Sequence, residues 1–115
     1  TGKSSHLLHA GSSMVLNAIK ILANIPDEID LLSPLIIKSV GQLKKELSGL
    51  PNPSLDLDEA LITLSISATT NSSAKVAMAQ LKNLSFCEVH LTNIPSEGDE
   101  KGFRKLQTNT TWDTK

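Results

Sequence analysis

The sequence predicts a helix-rich α/β fold in which helices are layered on a small sheet, and three observations carry that expectation. Two helix-like apolar repeats between Leu57 and Leu84 meet at Thr69-Thr70-Asn71-Ser72-Ser73, a junction without charge. From Phe86 to Thr92 the apolar period shortens to two, and Thr108 to Trp112 is a second β-branched run. Helices therefore come first, followed by strand, helix and strand. A mostly α fold with a short hairpin is the alternative arrangement of the same elements.

Taken in order, Ser12 or Ser13 can cap a first helix whose Val15, Ile19 and Leu22 share one face, with Asn17 and Lys20 outward. Asn24 ends it and Pro26 forbids its continuation. Ile29 to Leu32 is a short apolar run of strand type. Ser33-Pro34 then supplies a cap and an N1 proline for a second helix, with Ile36, Val40, Leu43 and Leu47 inward and Lys38, Gln42, Lys45 and Glu46 outward. Gly49 terminates that helix, and Leu50 to Ser54, with two prolines, is a rigid turn.

Asp56 and Glu59 form a capping box for a third helix. Its Leu57, Ala60, Leu61, Leu64 and Ala68 line one side and Ile62 and Ile66 the other, so it reads as buried all round. Across the junction, Asn71 suits either a left-handed helix end or a side-chain cap. The fourth helix turns Ala74, Ala77, Met78 and Leu81 inward. In the following strand Cys87, Val89 and Leu91 face the core, and Phe86, Glu88, His90 and Thr92 face away. Ser96 to Asp99 caps a short fifth helix that holds Phe103 and Leu106.

The 115 residues amount to a single domain, 1–115, with one continuous core. Apolar residues make up 39% and charged residues 20%, the balance of a globular domain. No apolar run approaches the roughly 18 residues needed to cross a bilayer, so no membrane span is expected. Eleven basic and twelve acidic residues leave a net charge of −1 without a basic stripe, which argues against nucleic acid as a partner. The single cysteine, Cys87, has no internal disulfide partner and points to a reducing, cytoplasmic setting. The opening Thr1-Gly2-Lys3-Ser4-Ser5 has neither an initiator nor a signal-peptide pattern and suggests a piece of a longer protein.

Chemistry-bearing patterns are few. His6 and His9, with Cys87 and His90, make a loose zinc-like set, but the pairs are widely separated and no metal or other cofactor is expected. Gly2-Lys3-Ser4 matches the tail of a phosphate-binding loop and lacks the upstream glycine and strand, so the match reads as coincidence. Strict alternation points Cys87 and His90 to opposite strand faces, which disfavours a nucleophilic pair. Glu88, His90 and Thr92 share one face and bring an acid, a base and a hydroxyl together, which makes them the candidate catalytic residues. Thr70 and Asn71, at the polar interhelical junction, are the candidate ligand-binding residues.

Several short runs also carry a resemblance. Asn17-Ala18-Ile19-Lys20, Asp30 through Leu31-Leu32-Ser33-Pro34, Asn52-Pro53 with Leu55, Asp58-Glu59-Ala60-Leu61-Ile62 and Ser65 through Asn71 are similar in order and spacing to an uncharacterised bacterial family. Cys87-Glu88 with His90, Asp99-Glu100-Lys101 and Phe103-Arg104-Lys105-Leu106 extend the similarity over the chain. The family is the domain of unknown function 1846, and the likeness is to its C-terminal domain. The resemblance implies a bacterial cytoplasmic protein of several hundred residues whose last domain has helices covering a small sheet.

Some family positions differ here. Leu91 stands where the family tends to have serine, Asp56 where it tends to have histidine, and Leu106-Gln107-Thr108-Asn109 where it tends to have Leu-Gly-Ile-Asn. An accessory or interaction domain, packing against upstream domains of the same protein or a second copy, is the primary functional expectation. A pocket around Glu88, His90 and Thr92, completed by upstream domains, is the alternative.

Overall fold

The computed structural model describes residues 1–49 and 54–114. Its helices are α1 (Ala10–Leu22), α2 (Pro34–Ser48), α3 (Leu57–Ser67), α4 (Ser72–Met78) and α5 (Glu97–Leu106), and its strands are β1 (Glu88–Leu91) and β2 (Asn109–Trp112). This is the helix-rich α/β class that the sequence predicts. The two strands pair in parallel, with Glu88, Val89, His90 and Leu91 opposite Asn109, Thr110, Thr111 and Trp112. Parallel pairing requires the α5 crossover and removes the hairpin alternative.

Helix ends follow local chemistry closely. Asp56 and Glu59 make the full reciprocal capping box, with Glu59 N–H donating to Asp56 Oδ1 at 2.9 Å and Asp56 N–H to Glu59 Oε1 at 3.0 Å. Asn71 accepts from Ala74 N–H and Ser96 from Asp99 N–H, both at 3.1 Å. Asn71 has φ −121°, which resolves its two readings in favour of the cap. Pro34 occupies the first turn of α2, and Gly49, at φ 68°, closes it in the left-handed conformation that glycine adopts without a Cβ clash. The predicted turn at Leu50 to Ser54 lies outside the described residues except for Ser54.

The core is mainly interhelical. Val15, Leu16 and Ile19 of α1, Leu57 and Leu64 of α3, Ala74 and Ala77 of α4, and Phe103 and Leu106 of α5 join Leu31, Leu32, Ile37, Leu55 and Leu84 in one buried cluster. Val89 and Leu91 pack against it from the inner face of β1. Helix α5 faces inward through Asp99, Gly102, Phe103 and Leu106, a spacing that keeps one stripe over two turns. Helices α3 and α5 form a close pair because Gly102 has no side chain: a Cβ there would lie 2.5 Å from Leu57 Cγ. A Cβ at Gly98 would meet the Asp56 carboxylate.

Several expected faces are corrected by the structure. Helix α1 starts at Ala10 with His9 at the N-cap position, so Ser12 is an interior residue whose hydroxyl donates to the Leu55 carbonyl at 3.0 Å. Leu22 is exposed and Lys20 is buried, because the Lys20 ammonium reaches the Asp27 carbonyl at 2.6 Å along its own aliphatic stem. Ile29 to Leu32 forms no strand. Leu31 and Leu32 instead fold inward in a bend that follows a turn from Pro26 O to Ile29 N.

Helix α2 is rotated from its apolar pattern. Ile37 and Gly41 are buried, while Leu43 and Leu47 are 55% and 79% exposed. Lys44 extends the inward row from Ile37 and Gly41, and its ammonium is bound by Glu59 Oε1 at 2.8 Å and the Ser54 carbonyl at 2.9 Å. Helix α3 is likewise covered on one side only: Ile62 and Ile66 are 56% and 54% exposed. Thr63 takes an inward position instead, its hydroxyl satisfied by the Glu59 carbonyl at 2.8 Å. The predicted alternation of β1 fails at its start, since Phe86 has φ 66°, turns the chain and leaves Cys87 exposed. Leu81 falls in a short 3-10 turn, Leu81–Leu84, beyond α4.

Candidate functional site

Glu88 and His90 lie on the outward, exposed face of β1, and Thr92 follows the strand end at Leu91. His90 is paired across the sheet: its Nδ1 lies 2.9 Å from Thr111 Oγ1, directly opposite in register, and its Nε2 lies 3.1 Å from Asp113 Oδ1. Both ring nitrogens are therefore engaged, and Glu88 is not among their partners. Thr70 is exposed at the helix junction. Asn71 caps α4 and donates from Nδ2 to the Asp30 carbonyl at 3.3 Å. Among the described residues no hydrogen bond links Thr70 or Asn71 to Glu88, His90 or Thr92.

The structure assembles a second group of polar residues that sequence reasoning missed. The N-terminal segment runs beside Leu55: Leu8 and Leu55 form a parallel bridge, Leu55 N–H donates to Leu7 O and His9 N–H to Leu55 O, each at 2.9 Å. This places His9 beside Asp99 on the first turn of α5, with Nδ1 and Oδ2 3.0 Å apart. The other carboxylate oxygen of Asp99 accepts from Leu57 N–H at 2.8 Å, so one buried acid joins the starts of α1, α3 and α5. A carboxylate accepts and does not donate, which puts the ring proton of His9 on Nδ1. Leu7 and Leu8 were the available signal, an apolar pair that ties down an otherwise polar N-terminal segment.

His9 and Asp99 border a cleft of about 810 Å³ whose walls include Lys3, Thr92, Asn93 and Ser96. Thr92 and Asn93 belong to the loop that leaves the carboxyl end of β1, the place where open α/β sheets commonly take ligands. Thr92 is thus the sequence-nominated residue that borders this cleft; the lining does not include Glu88, His90, Thr70 or Asn71. His6, His9, Cys87 and His90 form no potential metal-binding group among the described residues. No helix of the described residues is long and apolar enough to cross a membrane.

Beside this group, burial pushes the Asp56 carboxyl above its ordinary 3.8, with the neighbouring Glu59 and Asp99 charges adding to the rise against the opposing Glu59 N–H bond and Lys44 charge. Because the folded protein holds this proton more tightly than the unfolded chain, stability falls as pH rises from 3.8 through the raised folded value. Urea unfolding across that range is expected to show the wild type losing stability relative to Asp56→Asn as pH increases. A gap that is constant or opens in the opposite direction would contradict the assignment. Asp56→Ala, which removes the cap, is expected to cost about 1 kcal/mol in the same measurement.

A family profile described as "Domain of unknown function DUF1846, C-terminal" matches residues 1–115. A UPF0371 protein of Corynebacterium diphtheriae is 50% identical over 115 residues, covering 100% of this chain and 23% of that protein. A UPF0371 protein of Corynebacterium urealyticum is 48% identical over 106 residues, covering 92% of this chain and 21% of that protein. A UPF0371 protein of Clostridium botulinum is 44% identical over 113 residues, covering 98% and 22%. The chain spans less than a quarter of the length of these bacterial relatives.

Proposed function

Because the chain belongs to the family of DUF1846 C-terminal domains, a family of unknown function, we propose that it is an interaction domain of a cytoplasmic protein, docking on the upstream part of the same polypeptide. The observation that carries this reading is the outer face of α2. Leu35, Leu43 and Leu47 recur at multiples of four residues on that helix and are 78%, 55% and 79% exposed. Residues four apart stand above one another on a helix, so these three share one stripe, with Ser39 between Leu35 and Leu43. Scattered exposed leucines need no explanation, but an aligned set on a helix facing away from its own core marks a contact surface.

The relatives supply the occupant, since this domain is their C-terminal part and more than three quarters of each lies outside the matched region. The open two-stranded parallel sheet supports the same reading. Parallel strands are usually found inside larger covered sheets, and β1 and β2 each leave an edge unpaired among the described residues.

The test compares Leu43→Asp with Leu47→Asp, singly and together, in the full-length protein and in the 115-residue chain. In the isolated chain each surface substitution is expected to change stability by less than about 0.5 kcal/mol. In the full-length protein the pair is expected to cost about 2–4 kcal/mol, the order of burying two leucines, and to expose the interdomain region to limited proteolysis. Equal effects in the two settings would overturn the proposal. A concentration-dependent loss of dimer in sedimentation would transfer the surface to a second copy.

A further inference from the structure

We propose that the cleft beside β1 is a small-molecule site in which His9, held by Asp99, accepts a hydrogen bond from the hydroxyl of a small hydroxyl-bearing anion whose charge is met by Lys3. This site is separate from the α2 docking face and does not depend on it. Its volume of about 810 Å³ lies within the range of roughly 300–1,000 Å³ typical of ligand pockets. The first argument is the orientation of His9. Asp99 is 8% exposed and has both oxygens occupied, one by Leu57 N–H and one by His9 Nδ1. A buried acid that accepts the Nδ1–H bond of a neutral imidazole leaves Nε2 as a lone-pair acceptor of defined direction. Nε2 of His9 has no hydrogen-bond partner among the described residues, the side chain is 30% exposed, and His9 is among the residues that line the cleft.

The second argument is charge. The Asp99 carboxylate is already matched by two donors, whereas Lys3 takes part in none of the ion pairs among the described residues. The cleft is thus lined by a lysine in none of these ion pairs and by a histidine with a free acceptor nitrogen. A ligand complementary to both has an anionic group and a hydroxyl donor. Thr92, Asn93 and Ser96 add hydroxyl and amide groups suited to the rest of such a polar molecule.

The wall that carries Lys3 is fixed in place. Thr1 O accepts from Asn17 Nδ2 at 2.8 Å, and Gly2 lies so close to α1 that a Cβ there would run into the Met14 backbone. The argument for Lys3 therefore rests on its position in the cleft and owes nothing to a glycine-rich phosphate loop.

Asp99 acts as a positioning residue, and a ring nitrogen spectrum tests that role without any ligand. In the full-length protein labelled with 15N-histidine, with His9→Gln used to assign the signal, the wild-type ring is expected as the Nδ1–H tautomer. Asp99→Asn retains an oxygen for Leu57 N–H and turns an amide donor toward His9, so the tautomer is expected to invert to Nε2–H. An unchanged tautomer in a folded Asp99→Asn protein would overturn the orientation argument.

Binding is then read by calorimetry on the full-length protein with glycerol 3-phosphate, glycerate and neutral glycerol. At least one of the two anions is expected to bind and glycerol is not; which anion binds distinguishes a phosphate from a carboxylate ligand. His9→Gln and Lys3→Met are each expected to weaken that binding about tenfold or more. Failure of both anions to bind, or binding that His9→Gln leaves unchanged, would overturn the proposal whether or not Asp99→Asn folds.

Discussion

Gly102→Val is expected to destabilise the 115-residue chain by about 3 kcal/mol, through overpacking and through a hydrogen bond that the overpacking breaks. The valine Cβ alone would sit 2.5 Å from Leu57 Cγ and 2.8 Å from Leu57 Cβ, so α3 and α5 must separate at their closest point. Leu57 cannot yield by rotating outward, because it is 1% exposed and packed in the core. Nor can its backbone retreat without lengthening the 2.8 Å bond from Leu57 N–H to Asp99 Oδ1. Each of these responses strands a buried group, and a lost bond to a carboxylate costs about 1.5–3 kcal/mol where simple overpacking costs about 1–3 kcal/mol. In urea the expected result is a lower midpoint with an unchanged slope. A change smaller than about 0.5 kcal/mol would show that α3 and α5 do not meet as closely as described.

Leu64→Ala is expected to be larger still, about 3–5 kcal/mol, and to lower the melting temperature by roughly 10–25 °C. Leu64 is 0% exposed on the inward face of α3, so truncation leaves a void that neighbouring side chains fill only in part. Ile62, two residues earlier on the same helix, provides the control because it is 56% exposed. In the isolated chain Ile62→Ala is expected to stay within about 0.5 kcal/mol, since its side chain already meets water. Comparable losses at the two positions would mean that α3 is covered on both sides.

That contrast shows where the sequence was informative and where it was not. The caps of α3, α5 and α4 were legible because their partners lie three residues away: Asp56 with Glu59, Ser96 with Asp99, and Asn71 with Ala74. The cap of α1 was not, since His9 holds the place expected for Ser12 or Ser13. Periodicity likewise found α5 and the inward Phe103 and Leu106. Helix rotation was not legible where distant polar groups decided it. Lys44 turns inward because Glu59, fifteen residues on, neutralises it, and this carries Leu43 and Leu47 outward against their apolar pattern.

The candidate sites divide along the same line. The outward face of Glu88 and His90 follows from strand alternation alone. The partners of His90, however, come from the opposite strand and from Asp113, which local spacing could not reveal. The cleft depends on a residue at position 9 meeting one at position 99. In the sequence His9 belongs to a loose zinc-like set with His6, Cys87 and His90, and Asp99 to a helix cap and to the Asp99-Glu100-Lys101 run, so nothing local pairs the two.

The same long reach governs the order in which the chain completes itself during synthesis. His9 bonds to Leu55 through its backbone and to Asp99 through its ring, the latter ninety residues farther along. Translation runs from the amino end, so the segment ahead of α1 emerges before the rest of this domain and is among the last to find all its neighbours. Until Asp99 has been translated and α5 has formed, that leading segment has only half of its anchorage.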